Sequence, residues 1–395
     1  MKNLKKDIPI MQFLLVIICF PFVLFSQKDD KKANEPSPYQ FTIDYVVRHT
    51  AVKNQASTGT CWDFATISFL ESELLRTGKD TIDLSEMYLV RQTYPHKAEN
   101  FLRLHGNATF AQGGQSHDVI DQIRRYGIVP EEIYPGMNID ENKHNHSEMF
   151  AILQAVVEGA SKSRKVTPNW KEAFSVVLNT YLGAPPIDFI FKGKKYTPES
   201  FAEKYCGWNL SDFMELTSFS HHPFYEKCRL EIPDNWTFND DYFNVPIDDL
   251  EKIIDNAIKN GYSVAWDGDV SERDFSTRET GCAIVPEKDW EDKTEAERKA
   301  KISEPVKEKK VTQEMRQAAF NNYLTTDDHL MHIVGLAHDQ NGTKFYYTKN
   351  SGGVVDRKNE GYVYMSQAYV RLKTVAIMVN KNCLPKKIAK KMEIR

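Results

Sequence analysis

The stretch that most constrains this chain runs from Lys53 to Arg76, where a polar loop leads directly into an apolar-faced helix. Beyond Cys61, apolar residues recur at spacings of three and four until Gly78, which predicts a helix with one buried face. The recurring residues are Phe64, Ile67, Leu70 and Leu74. Cys61 therefore falls in the first helical turn, where unpaired backbone N–H groups and the helix dipole favour an anion. This position predicts a thiol whose pKa is lowered for attack on carbonyl groups.

Gln55 lies in the same loop, six residues before Cys61. Its side-chain amide is placed to donate to the oxyanion that forms when a thiolate attacks a carbonyl. A nucleophile, a helix N-terminus and an amide donor together predict an acyl-transfer site. The alternative interpretation is that Cys61 is a small buried hydrophobe, as most free cysteines are.

The overall composition excludes some classes of partner. The chain has 395 residues, enough for one large domain or two modest ones. It is 41% apolar and 27% charged, with a formal net charge of −4. Because no strong excess of positive charge is present, the composition indicates neither a nucleic-acid partner nor binding to a membrane surface.

The N-terminus has the pattern of a secretory signal. Three lysines within the first six residues precede an apolar run, 8–25, which predicts a signal peptide over 1–26 and a solvated leader over 27–49. An uncleaved membrane anchor is the alternative, but Gln12 and Pro21 interrupt the run and leave it short for a membrane span. We therefore expect an extracytoplasmic protein, periplasmic or secreted, without stable membrane association once the signal is cleaved.

Five cysteines follow the predicted signal, so at least one is unpaired. Export makes disulfides permissible. If Cys61 is the free thiol, the other four form up to two bridges or remain buried thiols, and their spacing does not decide between these: Cys206, Cys228, Cys282 and Cys383.

Two histidine pairs are candidate metal ligands, namely His144 with His146 and His221 with His222. Neither pair has an acidic or thiol partner at ligand spacing. No glycine-rich phosphate loop follows a strand. We therefore expect no metal and no cofactor.

Two further features are candidates for substrate binding. Gly113 and Gly114 precede a helical segment and let the backbone approach an extended peptide closely, although a helix-entry turn explains them equally well. Asp269 follows the predicted strand 262–266, where its carboxylate could face a cleft. Turn chemistry alone also accounts for this aspartate.

A predicted β-hairpin carries the remaining candidates. Strand-like segments at 330–338 and 344–349 are joined across Asn341-Gly342, a strong hairpin signal. His329 and Asn350 stand at the outer ends of these two strands. A strict two-residue turn would place Asn350 opposite Ile333, so the two side chains meet only if the loop is looser or a strand is bulged.

Together these stretches resemble the papain superfamily of cysteine peptidases. The segment 55–62, QASTGTCW, resembles its Gln-x5-Cys-Trp box, and Asp328-His329 and Lys349-Asn350-Ser351 resemble its histidine and asparagine motifs. The family's histidine lies six residues before a glycine, which selects His329, because Gly335 follows at that distance. His332 is the competing histidine.

Within that superfamily the bleomycin hydrolase/aminopeptidase C branch is the closest match, and the gap of 268 positions between the cysteine and histidine fits its large insertion. The resemblance implies an α+β fold with two lobes in one peptidase domain, 50–395. The matching segments are Gly113-Gly114-Gln115, Tyr126–Pro130, Val245-Pro246 and Ala265–Val270. The implied parts are a helical lobe (50–136), a helical insertion (137–244), a β-barrel-like lobe (245–385) and a C-terminal tail (386–395).

The resemblance also implies an activity on peptide substrates. Cys61 would be the nucleophile, His329 the acid and base, Asn350 the residue that orients the histidine, and Gln55 an oxyanion donor. The implied function is an aminopeptidase, since in that branch the C-terminal carboxylate anchors the substrate amine. An endopeptidase, or a catalytically weak peptide-binding protein, is the alternative. Homo-oligomers occur in the branch, and no feature of this sequence indicates one.

One position departs from the family pattern. The family has Asn-Ser-Trp-Gly where this chain has Asn350-Ser351-Gly352-Gly353. The missing indole would have shielded the hydrogen bond between histidine and asparagine, so we expect that bond to be wetter and weaker. Trp62 or Trp290 could supply the indole that is missing at Gly352.

Overall fold

The structure is a computed structural model that describes residues 37–138, 142–300 and 302–394. The predicted signal peptide lies outside the described residues, as does the first part of the leader. Within the described ranges, no helix combines the length and the apolar character that a membrane span needs.

Most of the described helices come first along the chain, and most of the strands follow in the second half. The helices are α1 Cys61–Arg76, α2 Glu86–Arg103, α3 Ser116–Tyr126, α4 Ser147–Ser161, α5 Asn169–Leu182, α6 Pro198–Phe201, α7 Ile247–Lys259, α8 Glu295–Lys299, α9 Gln313–Asn321, α10 Gln367–Lys373 and α11 Lys386–Lys391. The strands are β1 Phe41–Val46, β2 Phe189–Phe191, β3 Lys194–Tyr196, β4 Phe213–Thr217, β5 Lys227–Cys228, β6 Tyr242–Asn244, β7 Val264–Gly268, β8 Cys282–Ala283, β9 His329–Asp339, β10 Lys344–Lys349, β11 Tyr362–Ser366 and β12 Thr374–Asn380.

One ten-stranded sheet organises the second half of the chain, in the order β5-β6-β4-β12-β7-β9-β10-β11-β8, with β1 added on β9. Strand β9 pairs with β10 along one edge. Along its other edge it pairs first with β7, at 329–333, and then with β1, at 335–339. The hairpin of β9 and β10 confirms the prediction made from Asn341-Gly342.

Helix α1 lies between the sheet and the other helices. It packs against β7 and β9 on one side and against α2 and α3 on the other. Residues Cys61–Leu75 are all buried, so the prediction of a single buried face is wrong. The reason is tertiary: a helix covered on all sides keeps no solvent face, even where its polar residues suggest one.

The segment predicted as a helical insertion divides between the two lobes. Helices α4 and α5 pack on α2 and extend the helical core with Leu153, Phe174 and Leu178. The segment 213–244 instead supplies β4, β5 and β6 to the main sheet. These three strands were not predicted from the sequence.

Helix α7 covers the opposite face of the sheet. Its apolar residues, among them Ile253 and Ile254, join a core with Trp266 and Ile333 from the strands. The C-terminal helix α11 adds Ile388 to this core. The sheet is therefore buried on both faces, by α1 on one and α7 on the other.

The core beneath α7 generates a stability prediction. Ile253 is fully buried. Ile253→Ala should lower the free energy of unfolding by about 2–5 kcal/mol, because it removes buried methyl groups and leaves a cavity. Urea unfolding monitored by circular dichroism measures this change. Lys252→Ala, on the exposed face of the same helix, is the matched control and should change stability by less than about 0.5 kcal/mol.

Candidate active site

Cys61 is the first residue of α1, where the helix meets the start of β9. Its side chain is 9% exposed. The thiol takes a hydrogen bond from the backbone of Leu330, the neighbour of His329. The structure therefore brings the predicted nucleophile next to the predicted histidine.

The electrostatic surroundings of Cys61 oppose its helix position. Burial, together with the charges of Asp327, Asp234 and Asp267, raises the pKa of the thiol to about 12. The prediction of a lowered pKa is therefore wrong for the free protein. Desolvation of the thiolate and nearby negative charge outweigh the helix dipole, which acts only within the first turn.

His329 and Asn350 meet across the β9–β10 hairpin. His329 Nε2 lies 2.8 Å from Asn350 Oδ1. Because an amide oxygen only accepts, Nε2 carries the proton in this bond and Nδ1 is left to exchange a proton with the thiol. Burial lowers the pKa of His329, while the Asn350 bond and the charge of Asp328 oppose that change.

A bulge in β9 makes this meeting geometrically feasible. Tyr347 pairs with Gly335 but Thr348 pairs with Ile333, so Val334 is the extra residue on β9. The Val334 carbonyl is used instead by β1's neighbour Val47, whose N–H donates to it at 2.8 Å. The bulge shifts Asn350 past Ile333 toward the His329 end of β9, as the sequence argument required.

Gln55 is held against the loop that follows Asn350. Its Oε1 accepts from Ser351 Oγ at 2.5 Å, and its backbone N–H donates to the Ser351 carbonyl at 2.9 Å. Its Nε2 donates to the Thr58 carbonyl at 2.8 Å. An amide nitrogen has two hydrogens, so a second donor remains for an oxyanion near Cys61.

His332 has a different environment from His329. Its Nδ1 lies 2.8 Å from Ser68 Oγ on α1, and the ring is buried. Lys349 donates to the same serine hydroxyl at 2.8 Å. The structure therefore places His332 in a buried polar cluster behind the site and gives the asparagine contact to His329.

The glycine pair is required by its neighbours. A Cβ on Gly113 would lie 1.8 Å from Asp234 Oδ2, and a Cβ on Gly114 would lie 3.0 Å from Trp62 Cδ2. Lys97 Nζ donates to the Gly113 carbonyl from behind. The backbone of this loop is thus packed from both sides, and Asp234 is a site residue that the sequence analysis missed.

The Asp269 carboxylate accepts hydrogen bonds from backbone N–H groups of neighbouring loops. It is buried, and its oxygens accept from Ser271 N at 2.9 Å and from Thr326 N at 3.2 Å. This use of the carboxylate matches the turn alternative, and the assignment of Asp269 to substrate binding stays a prediction. Of the two aspartates in this turn, the one that raises the pKa of the Cys61 thiol is Asp267, two residues earlier.

The position of the missing indole is approached by a cation. A Cβ on Gly352 would lie 3.5 Å from Arg357 Nη2, and Arg357 donates to Thr277 Oγ1 at 2.8 Å. Trp62 is committed to the helical core, with its Nε1 donating to the Gln112 carbonyl. Trp290 lies under the guanidinium of Arg273 at 3.6 Å. These contacts give neither tryptophan a place beside Gly352.

Among the described residues, one cluster has the composition of a metal site. The side chains of His221, His222 and Glu231 converge, with His222 Nε2 3.0 Å and His221 Nε2 3.2 Å from Glu231 oxygens. Three such ligands would suit Zn²⁺. The hydrogen bonds between the imidazoles and the carboxylate also satisfy these partly exposed groups without a metal.

The sequence of this chain is similar to those of known peptidases. Residues 97–395 match the family model described as Peptidase C1-like family. The chain belongs to the Peptidase C1-like family. It is 23% identical over 300 residues to aminopeptidase C of Streptococcus thermophilus, covering 65% of this chain and 66% of that protein. It is 24% identical over 378 residues to aminopeptidase G of Lactobacillus delbrueckii subsp. lactis, covering 85% and 82%.

A solved structure supports the fold of this Peptidase C1-like chain. The crystal structure of PepW from Lactobacillus rhamnosis HN001 matches with a TM-score of 0.67 at 20% identity, over 92% of this chain and 86% of that one. This similarity confirms the α+β two-lobe fold. The match to aminopeptidase C spans just under two thirds of that protein's length.

The His329–Asn350 contact generates a prediction about thiol reactivity. Asn350→Ala should slow alkylation of Cys61 by iodoacetamide by about 5- to 10-fold, since alkylation goes through the minor thiolate–imidazolium form and one hydrogen bond that stabilises the imidazolium is lost. Mass spectrometry of the labelled peptide measures the rate. Asn341→Ala, at the hairpin turn, is the control. Equal rates in the three proteins would show that Asn350 does not orient His329.

Proposed function

We propose that this protein is a cysteine peptidase that hydrolyses peptide bonds through an acyl-enzyme and acts as an aminopeptidase. The observation that carries the proposal is the 2.8 Å contact between His329 Nε2 and Asn350 Oδ1, formed where β9 meets the N-terminus of the helix that begins with Cys61. Membership of the Peptidase C1-like family supports it.

The proposed reaction starts from a neutral pair. Burial keeps the proton on the Cys61 thiol and lowers the pKa of His329, so the free imidazole is ready to act as a base. When substrate is bound, the thiol proton passes to His329 Nδ1 and the thiolate attacks the scissile carbonyl carbon. The Asn350 amide oxygen stabilises the imidazolium through Nε2–H.

The oxyanion is held by donors on one loop. The backbone N–H of Cys61 and the second amide hydrogen of Gln55 are placed for this role. Collapse of the tetrahedral intermediate breaks the C–N bond, and His329 gives its proton to the leaving amine. His329 then takes a proton from water, whose hydroxide attacks the thioester and releases the acid and the Cys61 thiol.

Two observations favour an aminopeptidase over an endopeptidase. Three relatives from Lactobacillus delbrueckii subsp. lactis are named aminopeptidase C, G and W. In addition, Asp234 lies across Gly113, the backbone edge expected to hold the part of an extended peptide before the scissile bond. The second candidate is a catalytically weak peptide-binding protein, which Gly352 favours because no indole covers the His329–Asn350 bond.

The test uses a reductant and one aminoacyl fluorogenic amide, offered both free and N-acetylated. We expect cleavage of the free form only, and none by Cys61→Ala. Gln55→Ala should lower kcat by about 10²- to 10³-fold, the usual loss for one oxyanion donor. Cleavage of both amides would indicate an endopeptidase. Silence on several amides, with Cys61 also resistant to iodoacetamide, would leave the peptide-binding alternative.

We also propose that the protein is exported and that residues 1–26 are removed. The support is the sequence pattern of three early lysines followed by the apolar run 8–25. N-terminal sequencing of the protein isolated from its own cells should give a chain that begins at Gln27. A chain that retains its first residues would contradict cleavage.

A further inference from the structure

Three carboxyl groups surround the thiol, and the proposed mechanism uses none of them. Asp234 comes from the loop before β6, Asp267 from β7, and Asp327 from the loop before β9. Each lies close enough to Cys61 to raise the pKa of its thiol. A cysteine peptidase gains nothing from negative charge at this place unless the charge has another task.

Among the described residues, Asp267 has another carboxyl group as its hydrogen-bond partner. It is 2% exposed, and neither of its oxygens receives a hydrogen bond from an N–H or O–H group of the described residues. Asp267 donates a hydrogen bond to a second carboxyl group, that of Asp327, because burial together with that neighbour raises the pKa of Asp267 well above its usual value. The remaining oxygen of Asp267 is a buried acceptor without a donor, which is costly and points to a ligand that supplies one.

Asp327 and Gln115 add further hydrogen-bond acceptors beside Asp267. Gln115 Nε2 donates to Asp327 Oδ2 at 3.1 Å, while Gln115 Oε1 has no hydrogen-bond partner and the residue is 1% exposed. Burial raises the pKa of Asp327 to about 7. The acceptors of these residues therefore outnumber the donors that the surrounding chain offers.

Asp234 connects the group to the backbone edge at Gly113. Its carboxylate lies directly over Gly113, and both Asp234 and Asp327 are partly exposed, so the group opens toward solvent. Lys97 is a nearby cation, but its Nζ donates to the carbonyls of Ala111 and Gly113, and burial lowers its pKa. Lys97 donates no hydrogen bond to Asp267.

We propose that Asp234, Asp267 and Asp327 bind the free α-ammonium group of the substrate's first residue. The inference rests on the proposed function. An ammonium group supplies three donors and one positive charge, which is what three carboxyl groups beside Gln115 lack. The α-nitrogen is two bonds from the carbonyl carbon that the thiolate attacks, so its anchor must lie close to Cys61, as these groups do.

The described part of the C-terminal tail is engaged elsewhere. Lys391 Nζ donates to Tyr225 Oη at 2.8 Å and pairs with Asp249 on α7. Ile388 and Met392 are buried in the core beneath α7. Carboxylates from inside the chain, on the loop before β6 and on the sheet, are therefore available for the role that the aminopeptidase C branch gives to its C-terminus.

The same contact links recognition to reactivity. A bound ammonium group neutralises the charges that raise the pKa of the Cys61 thiol, whereas an N-acetylated terminus leaves them in place. A free amine therefore increases both the affinity of the substrate and the ionisation of the Cys61 thiol.

The test compares Asp234→Asn with Asp240→Asn, an exposed aspartate of the same loop. For the free aminoacyl amide, Asp234→Asn should lower the ratio of the variant's kcat/KM to that of the wild-type protein to about 10- to 100-fold below one, since one charge-assisted bond to the ammonium is lost. Asp240→Asn should leave the ratio unchanged. Removal of residues 394 and 395 should also leave it unchanged. An unaltered ratio in Asp234→Asn, or a collapse on tail removal, would overturn the proposal.

A second measurement separates this proposal from the proposed function. An amino acid amide should slow iodoacetamide labelling of Cys61 in the wild-type protein, because the bound amide covers the sulfur and this outweighs the easier ionisation of the thiol. Its N-acetylated form should not slow labelling, and Asp234→Asn should lose the protection. This holds whether or not any amide is cleaved. Protection that is equal in Asp234→Asn, or absent in the wild type, would overturn the ammonium site, whereas cleavage alone decides the peptidase.

Discussion

The site depends on one backbone constraint, the change of partner along a single edge of β9. Up to Ile333 that edge pairs with β7, and from Gly335 it pairs with β1. Val334 lies between, bulged out of the β10 register, and its carbonyl accepts from Val47. Because side chains alternate along a strand, the extra residue decides which residues of β10 face the His329 end of β9. The contact between His329 and Asn350 follows from that offset.

A buried polar cluster behind the site holds the two catalytic loops together. Lys53, two residues before Gln55, pairs with Glu71 and Glu86 from α1 and α2. Lys349, next to Asn350, donates to Thr50 Oγ1 and to Ser68 Oγ. Buried ion pairs add little net stability because desolvation opposes them, but each removes alternative positions of the loop that carries it. The cluster thus positions Gln55 and Asn350 against the same helix.

The candidate site residues were predictable from the sequence because they lie in local patterns. Cys61 at the start of α1, the hairpin between His329 and Asn350, and the choice of His329 over His332 all follow from short stretches and their spacing. The sequence also required a bulge or a looser loop, without showing where. The strands of 213–244 escaped prediction, since they are short and take their order from pairing with β12 and with each other.

By itself, the sequence determined the candidate nucleophile, its helix, the histidine–asparagine hairpin and the family resemblance, because these depend on neighbours within a few residues. Only the tertiary structure decided the charge around the thiol. Asp234 and Asp267 reach Cys61 from distant segments, and burial reverses the pKa change that the helix dipole alone predicts. Burial and long-range proximity are properties of the packed chain, so no pattern within one stretch of residues contains them.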